Sequence, residues 1–145
     1  MVILIPYSIQ TVISLYKHAL WISAGFLIFS SLGCAQQPPG YSTISAGEFA
    51  EMLPKDSGIV LDVRTPGEYK NGHVAQSVLI DIMQADFEDK IKKLDKEKSY
   101  YIYCRSGNRS SKASSMMIKL GFKRVFNVKD GIDNILRSGV PVSKD

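Results

Sequence analysis

The chain has 145 residues, 45% of them hydrophobic and 22% charged, which fits one globular domain and is too short for two of ordinary size. That balance excludes a disordered or collagen-like chain, and two cysteines exclude a disulfide-rich scaffold. The formal charge is +4, yet Lys17 and Glu48 are the only fully charged side chains among the first 50 residues. Beyond them, basic residues alternate with carboxylates, as in Asp86-Phe87-Glu88-Asp89-Lys90-Ile91-Lys92-Lys93. This is the pattern of a solvated helix face rather than a basic stripe, and no nucleic-acid partner is expected.

In chain order, a charge-free run from Ala19 to Gly33 comes first, preceded by Lys17-His18 and followed by Cys34-Ala35-Gln36-Gln37-Pro38-Pro39-Gly40. A basic flank, about 15 apolar residues and then small residues form the layout of an export signal. The run is short for a membrane helix, which needs roughly 20 residues. Leu32-Gly33-Cys34, with Ser31 ahead of it, resembles the lipobox of bacterial lipoproteins, in which the cysteine receives lipid and becomes the first residue. Three outcomes are open: a lipoprotein leader ending at Cys34, a signal cleaved near Ala35, or an uncleaved anchor that includes residues 2–16. Each puts the remainder outside the cytoplasm, and the first places it in the bacterial cell envelope, held to a membrane by lipid. The expected organisation is a leader or anchor over residues 1–34, a linker over 35–40 and one domain over 41–143.

Ser45-Ala46-Gly47-Glu48 is a capping box that opens a helix running to about Leu53. Ile59-Val60-Leu61-Asp62-Val63 is a short apolar run between Gly58 and Pro66, the signature of a strand buried on both faces and therefore parallel to its neighbours. Thr65-Pro66-Gly67-Glu68 predicts a second capped helical turn. Val78-Leu79-Ile80 is a strand candidate, and Phe87, Ile91 and Leu94 predict an amphipathic helix from Gln84 to about Leu94. Tyr100-Tyr101-Ile102-Tyr103 reads as a core strand rather than a base-stacking surface, since no basic residues interleave it. A helix from about Arg109 to Leu120 closes at Gly121. Val125-Phe126-Asn127-Val128 is a last clear strand, and Ile132, Ile135 and Leu136 mark a final helix. Strand and helix alternate throughout, so the fold class is α/β, with a mostly parallel sheet and helices on both faces.

Cys104-Arg105-Ser106-Gly107-Asn108-Arg109-Ser110 falls where a buried strand ends and a helix begins, the place where open α/β sheets bind ligands. A loop entering a helix turns backbone N–H groups inward and adds the positive end of the helix dipole, which together make a nest for an anion. Gly107 supplies the positive φ that such a curl needs. A thiolate at Cys104 would be stabilised by those amides and by Arg105 and Arg109, which lowers its pKa below the free value of about 8.5. With Cys34 lipidated, Cys104 has no partner for a disulfide and is a candidate reactive thiol. One such cysteine and two scattered histidines cannot complete a tetrahedral metal site, so neither a metal nor another cofactor is expected.

With Leu61-Asp62-Val63-Arg64-Thr65-Pro66-Gly67-Glu68-Tyr69, Gly72-His73-Val74 and the Cys104 to Ser110 loop in that order, the chain resembles the single-domain rhodaneses, a sulfurtransferase family, from about Tyr41 to Val142. The resemblance implies a central five-stranded parallel sheet and a Cys104 nucleophile. It also implies a persulfide on Cys104, taken from thiosulfate or another small anionic sulfur donor and passed to a thiol acceptor or to cyanide. Arg105 and Arg109 would hold the sulfite end of thiosulfate, and the amides of Ser106, Gly107, Asn108 and Arg109 the persulfide. Related phosphatases and arsenate reductases use a wider Cys-x5-Arg cradle; the Cys-x4-Arg spacing here favours sulfur over phosphate. Asp62 and Arg64 are expected to form a structural ion pair near the site, Glu68 to serve its capping box, and His73 to make ordinary turn hydrogen bonds. A non-catalytic module of the same fold that binds a partner or a persulfide ligand is the alternative function class, because fold does not fix function.

Overall fold

The computed structural model describes residues 40–144, so the leader or anchor expected over 1–34, Cys34 and most of the linker lie outside the described residues. No helix among the described residues is long and apolar enough to cross a membrane. Five parallel strands form the central sheet: β1 (Ser42–Ile44), β2 (Ile59–Asp62), β4 (Val78–Leu79), β5 (Ser99–Tyr103) and β6 (Arg124–Val128), in the order β1-β6-β5-β2-β4. The expected α/β class and parallel sheet are therefore present. A second, two-stranded antiparallel sheet joins β3 (His73–Val74) to β7 (Val142–Ser143), and it was not anticipated from the sequence.

The helices are α1 (Ala46–Met52), α2 (Pro66–Lys70), α3 (Phe87–Lys92), α4 (Asn108–Lys119) and α5 (Gly131–Arg137). Both capping boxes form as read. Ser45 Oγ accepts from the Glu48 N–H, Thr65 Oγ1 accepts from the Glu68 N–H, and each glutamate accepts in return from its cap residue's N–H. The helix expected from Gln84 begins later, at Phe87. Asp81 draws the preceding residues into a turn instead, accepting from the Met83 N–H at 2.9 Å and the Gln84 amide at 3.3 Å.

Alternation along the buried strands sends side chains to two cores. Tyr100, Ile102 and Leu61 pack with Phe87 and Ile91 of α3 and Ala113 and Met117 of α4. Tyr101, Tyr103 and Val60 pack on the other face with Phe49 of α1 and Ile132 and Ile135 of α5. All three tyrosines of β5 are fully buried, which fits a core strand and leaves no stacking surface. Helices thus cover both faces, β5 sits centrally, and Cys104 emerges from its carboxyl end.

At the matching end of β2, Asp62 and Arg64 form a salt bridge of 2.6 Å with side chains 0% and 5% exposed. This ion pair is buried. Arg64 also donates to Gly72 O at 2.8 Å, which ties the chain after β2 to the approach of β3. Removing one member strands a buried charge, so Asp62→Ala should destabilise the domain by about 3–5 kcal/mol. The double variant Asp62→Leu with Arg64→Met should recover part of that loss in denaturant unfolding. A double variant no more stable than the single one would show that the pair's charge balance is not what the fold depends on.

Candidate active site

The Cys104 side chain lies at the floor of a loop whose conformation follows from its glycine. Gly107 has φ +87° and is the residue before α4, but it offers no side chain to cap that helix. The donors that a capping side chain would usually take are left to the sulfur. Gly107 N–H donates to Cys104 Sγ at 3.2 Å, and the Ser110 hydroxyl lies 3.5 Å from it. That hydroxyl also reaches Gly107 O at 3.0 Å, so its single proton has two acceptors to choose between.

Cys104 is 1% exposed. Burial by itself pushes the thiol up, but the Ser110 hydroxyl and the N–H groups of Ser110, Ser106 and Gly107 outweigh it and leave the pKa below the ordinary thiol value. Of the amides expected around Sγ, those of Ser106 and Gly107 are among these donors and those of Asn108 and Arg109 are not, while Ser110 supplies a further N–H and its hydroxyl, which the loop motif did not point to. Its place at the third position of α4, where the first-turn N–H groups converge, was the available signal.

A second set of contacts braces the loop from below. A side chain at Gly107 would put Cβ 2.1 Å from Lys129 O, and one at Gly131, where φ is +73°, would put Cβ 1.9 Å from Arg105 O. Backbone touches backbone at both places, so both positions require glycine. Ile132 N–H donates to Cys104 O at 3.0 Å, which fastens the start of α5 to the residue that carries the sulfur. Asp130 accepts from the Ala46 N–H at 2.9 Å and joins this turn to α1.

The two loop arginines are placed differently. Arg109 donates through Nη1 and Nη2 to both carboxylate oxygens of Glu68, each at 2.7 Å, so the fork expected to grip a donor is already paired. Glu68 does more than serve its capping box: Arg109 holds its carboxyl down to about 2, and it links α2 to α4 across 41 residues of sequence. The Arg109 pKa is raised mainly by Glu68 and also by the Cys104 charge, which places the guanidinium within electrostatic reach of the sulfur. Arg105 is exposed and makes no side-chain hydrogen bond or ion pair among the described residues. Ser106 and Asn108 are exposed as well, with Gly107 buried between them.

A cleft of about 210 Å³ opens beside this loop, lined by Arg64, Glu68, Asn71, Arg105, Ile132 and Asp133. Asp62 supports it from beneath through Arg64. His73 does not line it; its ring stacks on Tyr69 at 3.6 Å and its Nδ1 lies 3.0 Å from Tyr69 O, the ordinary contacts expected of a turn histidine. A larger cavity of about 450 Å³ lies at the opposite end of β2, among Leu53, Asp56, Gly58 and Gln76, away from Cys104. Among the described residues no group of three or more histidine, cysteine and acidic side chains could hold a metal ion.

Comparison with known proteins agrees with this geometry. The rhodanese-like domain family matches residues 45–138, more than half of the chain. A sulfurtransferase from Allochromatium vinosum is 32% identical over 87 residues, covering 58% of this chain and 77% of that protein. A tRNA uridine(34) hydroxylase from Cytophaga hutchinsonii is 37% identical over 92 residues, 61% of this chain but only 30% of the hydroxylase. The chain thus spans about a third of the length of the hydroxylases it matches. Among solved structures, a rhodanese-related protein from Thermoplasma volcanium is 34% identical with a TM-score of 0.64, covering 72% of this chain and all of that one. By family match, fold and loop, the chain belongs to the rhodanese-like domain family.

Proposed function

We propose that the chain is a sulfurtransferase in which Cys104 is the nucleophile and carries the transferred sulfur as a persulfide. The observation that carries this reading is a buried sulfur that accepts from Gly107 N–H at 3.2 Å and has a depressed pKa. The lowered pKa raises the fraction of thiolate, the form that attacks, and no separate base among the described residues is required for it. The similarity to the Allochromatium vinosum sulfurtransferase, most of which this chain spans, supports the same reading. Only the shared third of the hydroxylases bears on it.

In the first half-reaction, the Cys104 thiolate attacks the outer sulfur of thiosulfate. A bond forms from Sγ to that sulfur, the bond from it to the sulfite sulfur breaks, and sulfite leaves with the electron pair. Arg105 meets the anionic donor, while Arg109, paired to Glu68, contributes its field and holds the loop. In the second, an acceptor thiolate or cyanide attacks the outer sulfur and the Cys104 thiolate departs, returned to the same N–H donors. The negative charge stays beside Ser106, Gly107 and Ser110 at each stage, so little reorganisation is needed. The two halves share no ternary complex, which gives ping-pong kinetics. We further propose that the domain works in the bacterial cell envelope, tethered by lipid on Cys34.

Incubating the full chain with thiosulfate should add the mass of one sulfur, and cyanide should remove it as thiocyanate. Cys104→Ser should abolish both events with thermal unfolding nearly unchanged. A chain that gains no sulfur while Cys104 is reduced and alkylatable would instead be assigned to the non-catalytic binding class. The pH profile of Cys104 alkylation tests the cradle: reactivity should rise through a midpoint below that of a free thiol. Ser110→Ala, which removes a hydrogen bond to the charged form, should raise that midpoint by about one pH unit; an unmoved midpoint would remove the hydroxyl from the cradle. Cys34→Ser should release the protein from membranes in cell fractionation, and unchanged fractionation would argue for an uncleaved anchor.

A further inference from the structure

The charges around the cleft do not suit a dianion. Of its ionic lining residues, Arg64 is neutralised by Asp62 at 2.6 Å and Glu68 by Arg109 at 2.7 Å. The Glu68 carboxyl stays ionised down to about pH 2, so its pair persists throughout the neutral range. Two charges remain, Arg105 and Asp133. Both line the cleft, both are exposed, and neither has a side-chain partner among the described residues.

Their main chains are anchored to that of Cys104. Arg105 directly follows Cys104. Asp133 directly follows Ile132, whose N–H donates to Cys104 O at 3.0 Å. The close approach of Gly131 to Arg105 O allows the start of α5 no slack against the loop. One unpaired cation and one unpaired anion therefore share a cleft next to the loop that carries the nucleophile.

Thiosulfate would gain from Arg105 but meet repulsion from Asp133 and from the thiolate it must approach. A small donor with a carboxylate and an ammonium near its sulfur would satisfy both side chains, and about 210 Å³ accommodates an amino-acid-sized molecule. We propose that this cleft selects the persulfide of an α-amino thiol over thiosulfate, with Arg105 facing the carboxylate and Asp133, the specificity-determining residue, facing the ammonium. The inference rests on the reading of Cys104 as sulfur carrier. The transfer needs no oxidant: the Cys104 thiolate attacks the outer sulfur of R–S–SH, the Sγ–S bond forms, and the donor's S–S bond breaks. The thiolate R–S⁻ leaves with the electron pair, and the transferred sulfur keeps its proton.

The test compares three donors on the full chain by the single-turnover rate of one-sulfur mass gain, with Cys104→Ser as the blank. They are thiosulfate, cysteine persulfide made by adding sulfide to cystine, and the persulfide of 3-mercaptopropionate made in the same way, which lacks the ammonium. Asp133→Asn keeps the shape of an exposed side chain, and its thermal midpoint reports whether the fold is kept. It should slow cysteine persulfide by roughly two- to fivefold, the scale of one exposed ion pair, and speed both donors that lack an ammonium. A cysteine persulfide to thiosulfate rate ratio unaltered by Asp133→Asn would overturn the inference while leaving sulfur transfer at Cys104 intact. No mass gain from any donor would overturn the parent reading and this one with it.

Discussion

A sulfur anion at the end of a buried strand has lost its water, and it persists only where other donors replace that solvation. At Cys104 the replacements are N–H groups of the loop and of the first turn of α4, together with one hydroxyl. The price of placing them there is a backbone that only glycine can follow at Gly107. The sheet contributes by setting the exit point: β5 lies between β6 and β2, covered on both faces, so Cys104 cannot drift toward solvent. The same donors serve a thiolate or a sulfur carried on it, because both put negative charge in one place.

Ion pairs hold this cradle without supplying its charge. Glu68 caps α2 and grips Arg109 at the start of α4, so one carboxylate couples two helices that the sheet would otherwise leave independent. Asp62 and Arg64 fix the neighbouring turn from below, buried and mutually neutralised. The turn from Lys129 to Ile132 presses on the loop through backbone contacts and one hydrogen bond. The result is a rigid site with little net charge in its cleft, an arrangement that favours discrimination by local pattern over attraction of any anion.

Much of this was legible in the sequence because it is local. The two capping boxes, the apolar runs of β2 and β5 and the glycine-bearing loop each declare themselves within a few residues, and each forms where it was read. Helix α1 follows from its capping box, α4 from its glycine stop signal, and α5 from the spacing of Ile132, Ile135 and Leu136, though Leu136 is 42% exposed. What was missed depends on partners distant in the chain. β1 has one buried residue in three and is a strand only because β6 lies beside it. The short pairing of β3 with β7 joins segments almost 70 residues apart. The Glu68 to Arg109 fork and the seat of Gly131 against Arg105 likewise need the fold to bring them together, and they decide which arginine faces the cleft unpaired.

The claim on which everything else rests is that backbone donors hold Cys104 as a thiolate. The most direct measurement is the pH titration of thiolate absorbance in the full chain, taken as the difference from Cys104→Ser so that the tyrosines cancel. The expected midpoint lies below the free-thiol value. A midpoint at or above that value would mean that burial outweighs the cradle, and it would contradict the account.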